Sequence, residues 1–267
     1  MQEIRIASID ELLRQFNSFA NNFIYRGHAN SSWPLQSSLE RVIGAKWSTS
    51  EVRKFEEYSL EIFKAKFHLY DRENLTPDSK LAWLSIMQHY GVPTRLLDFT
   101  ESPYVALYFA LESYQPTSKD DFAVFALDYT SVMEQSIAHI TSKDVSFTET
   151  RSSVYPKQDK VFEEIVDRFS YDIAWVTEPK RHNERLDRQG GCFLVSGNRD
   201  RRIAEILELP IYSSSRIVKF TVDHSLYQSI FALLRKMNVT SKSLYGDLDG
   251  LARSIRMQLQ VYSVDAF

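Results

Sequence analysis

The chain has 267 residues, enough to bury a substantial core as one large domain or two small ones. Hydrophobic residues make up 43% and charged residues 25%, an ordinary soluble composition, and a formal net charge of −3 argues against general nucleic-acid affinity. A single cysteine, Cys192, excludes an intrachain disulfide, and six histidines in all leave little material for a metal centre.

The first residues, Met1-Gln2-Glu3-Ile4-Arg5, contain no apolar signal core, and no later segment approaches the length of a membrane span; a cytoplasmic protein without a membrane partner is expected. Ser8-Ile9-Asp10-Glu11 reads as a capping box, and Ile9, Leu12, Leu13, Phe16 and Phe19 give a first helix its apolar stripe. Phe23 to Gly27 reads as a strand, and a polar loop with Trp33-Pro34 follows. Val52, Phe55, Tyr58, Ile62 and Phe63 mark a helix to about His68. Pro77-Asp78 opens another, carrying Leu81, Leu84, Ser85 and Gln88 on one stripe. Gly91 suits the left-handed residue that ends it, and Pro93 prevents it from resuming. Thr94 to Thr100 is then a short strand anchored by Leu96 and Leu97. Ser102-Pro103 is the N-cap and first-turn proline of a helix through Val105, Ala106, Tyr108 and Phe109.

Phe122 to Leu127 is a continuous apolar run of strand length. Residues 141–158, rich in Ser, Thr, Lys and Asp, read as a mobile loop or insertion. A helix at Val161, Ile165, Val166 and Phe169 precedes a strand at Ile173 to Val176; Phe193 to Val195 and Ile217 to Val222 are further strands. Asp223 caps a helix with Leu226, Ile230, Leu233 and Leu234, and Asp247 and Asp249 open a last one through Leu251, Ile255 and Leu259. With no repeat and no dividing linker, a single α+β domain is predicted.

No Gly-rich phosphate loop, nucleophile elbow or paired-His zinc motif is present. What stands out is the stretch Gln88 to Leu107, where His, Tyr, Arg, Asp and Thr lie between two helices. Arg95 and Asp98 have two readings: a buried ion pair that pins a crossing, or a ligand wall at a helix N-terminus, where anions bind readily. Such an inventory suits a nucleotide, because Arg matches a phosphate bidentately, rings clamp a flat base, and a carboxylate or amide holds ribose hydroxyls. The basic run Arg181, Arg185, Arg188, Arg199, Arg201 and Arg202 reads either as a solvated, salt-bridged face or as a phosphate-binding strip. Cys192, between Gly191 and Phe193, reads as a buried small hydrophobe.

Four blocks, Tyr25-Arg26-Gly27, Gln88 to Leu107, Arg185 to Phe193 and Leu244 to Ala252, resemble the FRG domain family and follow its order over nearly the whole chain. The element order is also similar to the ADP-ribosyltransferase fold, which implies a mixed split sheet with flanking helices. In that mapping Arg26 lies on the first strand. Asp98-Phe99-Thr100 ends the second, ahead of the Ser102 helix, and Gln189-Gly190-Gly191 leads into the third. The resemblance implies NAD as co-substrate without a metal, and transfer of ADP-ribose to a macromolecule, RNA or protein, by a toxin or antiviral effector with an inhibitory antitoxin as partner.

Arg26, Asp98 and Gln189 take the catalytic positions in this reading. Gly27, His28, His89, Tyr90, Thr94, Arg95, Thr100 and Arg185 are expected to bind NAD. One departure matters: the Glu-x-Glu of that fold is replaced by Gln189-x-Gly191. Either Gln189 holds a ribose while another acid, from among Asp98, Glu184, Asp247 and Asp249, supplies the charge, or the chain is a non-catalytic nucleotide- or nucleic-acid-sensing module. A nuclease is the third reading, weakened by the lack of clustered metal-binding acids.

Overall fold

In a computed structural model, which describes residues 1–71, 76–115 and 117–264 and side chains as far as Val261, seven strands form one mixed sheet. They are β1 (Gln2–Ile6), β2 (Phe23–His28), β3 (Leu97–Thr100), β4 (Phe122–Asp128), β5 (Ala174–Thr177), β6 (Gly191–Ser196) and β7 (Ile217–Val222), in the order β1-β7-β4-β2-β3-β6-β5. Only β1 and β7 run parallel; all other neighbours are antiparallel. The apolar run of β4 is continuous because both its faces are covered. Phe122, Val124 and Ala126 join one core cluster, and Ala123, Phe125 and Leu127 join another on the opposite face.

The flanking helices are α1 (Ile9–Asn17), α2 (Ser38–Ile43), α3 (Thr49–Phe67), α4 (Lys80–His89), α5 (Pro103–Glu112), α6 (Tyr129–Lys143), α7 (Arg151–Val154), α8 (Gln158–Glu164), α9 (Glu184–Arg188), α10 (Ile203–Leu207), α11 (Tyr227–Lys236), α12 (Ser241–Tyr245) and α13 (Leu248–Val264). The start of α5 is built as its sequence implies: the Ser102 hydroxyl accepts from the Val105 amide at 3.3 Å and Pro103 fills the first turn. Gly91 ends the turn after α4 at φ +80, a conformation that favours glycine.

Three expectations are corrected. The strand predicted from Thr94 begins only at Leu97, because the Thr94 hydroxyl turns back to accept from the Leu96 amide at 3.2 Å. Residues 141–158, expected as a mobile loop or insertion, include the end of α6 and all of α7, with Phe147 and Val154 buried in the core. The helix opened by Asp223 begins as a 3-10 turn, His224–Leu226, before α11.

Candidate functional site

The sheet is joined unevenly. β2 pairs with β4 from Phe23 to His28, but with β3 only where Tyr25 meets Thr100. Past that point Arg26 bridges the two strands: its Nη1 donates to the Asp98 carbonyl oxygen at 2.7 Å and stands 3.8 Å from Asp98 Oδ2. A cavity of about 380 Å³ opens beside this bridge, within the size range of small-molecule sites, about 300–1,000 Å³. Arg26, Asp98 and Gln189 all line it, as do Gly27, His89, Thr100 and Arg185. Because β2, β3 and β6 are neighbours, the three mapped elements lie side by side.

Two neighbours fix the bridge. Arg26 Nε donates to His28 Nε2 at 3.0 Å, which makes that nitrogen the acceptor and leaves Nδ1–H to donate to the Trp33 carbonyl at 3.2 Å. The ring is therefore neutral. Burial, then the Arg26 charge, holds its pKa down at about 3. Asp98 Oδ2 accepts from Gln88 Nε2 at 2.8 Å, and Gln88 Oε1 in turn accepts from the Thr94 hydroxyl at 2.7 Å. Thr94 and His28 thus hold residues of the cavity without lining it.

On the β6 side, Thr100 Oγ1 donates to the Gln189 carbonyl at 2.6 Å, and the Gln189 side-chain amide reaches the Leu244 carbonyl at 3.4 Å. His89 borders the cavity with its pKa lowered by burial and then by the charge of Arg185, so its ring is kept neutral.

The far wall contains residues that sequence reasoning missed. Glu112, at the end of α5, accepts from the Tyr108 hydroxyl at Oε1 (2.9 Å) and from the Tyr245 hydroxyl at Oε2 (2.7 Å), and Arg253 Nη1 lies 3.7 Å from Oε1. The Tyr245 ring carries the Arg185 guanidinium 4.5 Å and the Arg253 guanidinium 4.9 Å from its centre. Burial, then the Glu112 charge, raises the Tyr245 pKa, so its hydroxyl remains a donor. The only local signal for this wall was the i,i+4 spacing of Tyr108 and Glu112. Tyr245 lies within the block Leu244 to Ala252, but its partner Glu112 is over a hundred residues away in sequence.

Other expectations fall outside the cavity. Tyr90 is exposed. Arg95 does not pair with Asp98; it is buried on another side of the fold. Its Nε donates to Glu56 Oε2 at 2.8 Å, its Nη2 contacts Asp167, and its guanidinium lies 4.2 Å from the centre of the Phe169 ring. Lys80 bridges the same two acids, with Nζ 3.4 Å from Glu56 Oε1 and 2.8 Å from Asp167 Oδ2. Arg95 faces away because the strand starts two residues after it, so no sheet geometry aims its side chain at the cavity. Gly27 has a packing role: a Cβ there would stand 1.9 Å from the Ala106 carbonyl oxygen, so α5 rather than a ligand occupies the space.

Asp247 caps α13, its Oδ1 accepting from the Gly250 amide at 2.8 Å, and Glu184 is exposed 3.7 Å from Arg188. In the basic run, Arg199 is buried, Arg201 pairs with Asp172 at 3.3 Å and Arg202 donates to the Gly44 carbonyl; only Arg185 of that run lines the cavity. Cys192 is buried, as expected. No helix among the described residues is long and apolar enough to cross a membrane.

Residues 21–119 match the family model of the FRG domain. No curated protein and no solved structure is matched. The matched span holds Tyr25-Arg26-Gly27 and Gln88 to Leu107. The blocks at Arg185 to Phe193 and Leu244 to Ala252 lie beyond it, yet they supply the opposite side of the same cavity.

Proposed function

We propose that this chain, which carries an FRG domain at residues 21–119, is an NAD-consuming ADP-ribosyltransferase with an ADP-ribosyltransferase-like arrangement of β2, β3 and β6. The observation that carries the reading is the charge set of one cavity: Arg26, Arg185 and Arg253 surround it together with the carboxylates of Asp98 and Glu112. Guanidinium groups in a partly desolvated cavity bind a pyrophosphate through charge-assisted hydrogen bonds. The carboxylates stabilise positive charge developing on the ribose as its bond to nicotinamide breaks and the electron pair leaves with the base. The acceptor, an RNA or protein nucleophile, then bonds to the same carbon, and neutral His89 takes up the proton it sheds. Gln189 holds a ribose hydroxyl, and Glu112 supplies the acid that the Gln189-x-Gly191 sequence lacks. A toxin or antiviral effector held in check by an antitoxin fits this chemistry.

A second reading, a nucleotide sensor without turnover, is favoured by one observation: both oxygens of Glu112 are already engaged by tyrosine hydroxyls. Incubation with NAD separates the two. Transfer predicts nicotinamide release that falls by a factor of ~100 or more in Glu112→Gln. Tight binding of ADP-ribose with no nicotinamide released would establish the sensor and overturn the enzyme.

A further inference from the structure

Helix α13 presents two faces of opposite character. Gly250, Met257 and Val261 are buried against the body of the protein, and Arg253 reaches Glu112 from the same side. On the other face Leu248, Leu251, Ile255 and Leu259 are exposed by 82%, 43%, 53% and 65%. Spacings of three, four and four residues keep these side chains on one stripe of an α-helix with 3.6 residues per turn. The water-facing side of a surface helix is ordinarily polar, and a contiguous aliphatic stripe marks a contact surface.

We propose that this stripe joins two copies of the chain as an antiparallel helix pair about a two-fold axis. The choice of a second copy rests on charge. Asp249 and Arg256 flank the stripe on one side; both are exposed, and neither is in a salt bridge among the described residues. A two-fold interface sets a surface against its own inverse, so an acid near one end and a base near the other on the same flank complement each other. With the axis between Leu251 and Ile255, each Leu251 meets Ile255 of the second copy. Asp249 then comes level with Arg256 of the second copy, once on each side of the axis. Leu248 to Leu259 spans about 17 Å at 1.5 Å per residue, a small contact beside the ~1,600 Å² of standard stable complexes. The dimer therefore dissociates on dilution.

Sedimentation velocity of the full chain across a wide concentration range tests the proposal. The expected result is a monomer–dimer equilibrium, abolished in Leu251→Glu/Ile255→Glu while the melting temperature stays unchanged. Asp249→Arg weakens the dimer by facing Arg256 with a like charge, and adding Arg256→Asp to it restores the wild-type constant. A chain that is monomeric at every concentration overturns the proposal, as does a dimer indifferent to the Leu251/Ile255 change. Failure of the double charge exchange to rescue overturns the antiparallel arrangement.

Discussion

Arg26 and Asp98 are joined through the backbone more firmly than through charge. Arg26 Nη1 donates to the Asp98 carbonyl at 2.7 Å, whereas the nearer carboxylate oxygen is 3.8 Å away and is held by Gln88. The guanidinium is thereby pinned in the gap between β2 and β3, while the exposed carboxylate keeps one oxygen for a ligand.

Arg26→Ala is expected to weaken ADP-ribose binding at least tenfold by calorimetry. It also leaves the Asp98 carbonyl and His28 Nε2 without their donor, so a stability loss of ~1–3 kcal/mol is expected alongside. Arg26→Lys restores a charge without the planar fork and should recover only part of the affinity. Unchanged affinity in both variants would make Arg26 purely structural.

Gln189→Ala should lower NAD cleavage by a factor of ~100, the scale of removing one oriented partner from a reacting centre. Gln189→Glu should retain or raise it, because a Glu at this position re-creates the acid of the mapped Glu-x-Glu pattern. Parental rates of nicotinamide release in both variants would remove Gln189 from the reaction.

Glu56→Gln is expected to destabilise the fold by ~3–5 kcal/mol, because Arg95 and Lys80 would keep buried charge with too little compensation. Burial alone would push the Glu56 carboxyl up, but Arg95, Lys80 and Arg199 together outweigh it and hold the pKa below 4.5. A depressed native pKa gives stability that is fully present above the unfolded value and lost as pH falls through the lower native one. Acid titration of the melting temperature should show that loss below pH 4.5 in the parent chain, and much less of it in Glu56→Gln.

Gly27→Ala should cost at least the ~1–3 kcal/mol typical of an overpacked core, since the new methyl would meet the Ala106 backbone at 1.9 Å and neither strand nor helix can give way cheaply. Chemical denaturation measures this directly. A variant as stable as the parent would show that α5 shifts off β2 without penalty.

Local chemistry made much of this fold legible. The Ser102-Pro103 start and the β4 run were visible because caps, prolines and continuous apolar stretches act over a few residues. β1 was missed because an edge strand with only Ile4 and Ile6 turned inward carries too short an alternation to stand out. Arg26, Asp98 and Gln189 were singled out through the resemblance to the ADP-ribosyltransferase fold, and the adjacency of β2, β3 and β6 brings them to one cavity. Glu112 was not, since what marks it is the convergence of Tyr245 and Arg253 from distant parts of the chain. Arg95 misled for the converse reason: only Leu96 and Leu97 separate it from Asp98 in sequence, but the turn at Thr94 sends the two side chains to different places.

The cavity draws Arg26 from an early strand and Arg253 from a late helix. During synthesis the residues from Arg26 through Arg253 must therefore all leave the ribosome before that cavity is complete. A nascent fragment that ends before α12 holds the Arg26–Asp98 bridge but leaves Glu112 without the Tyr245 hydroxyl and the Arg253 charge. A fragment of that kind therefore holds only part of the cavity wall.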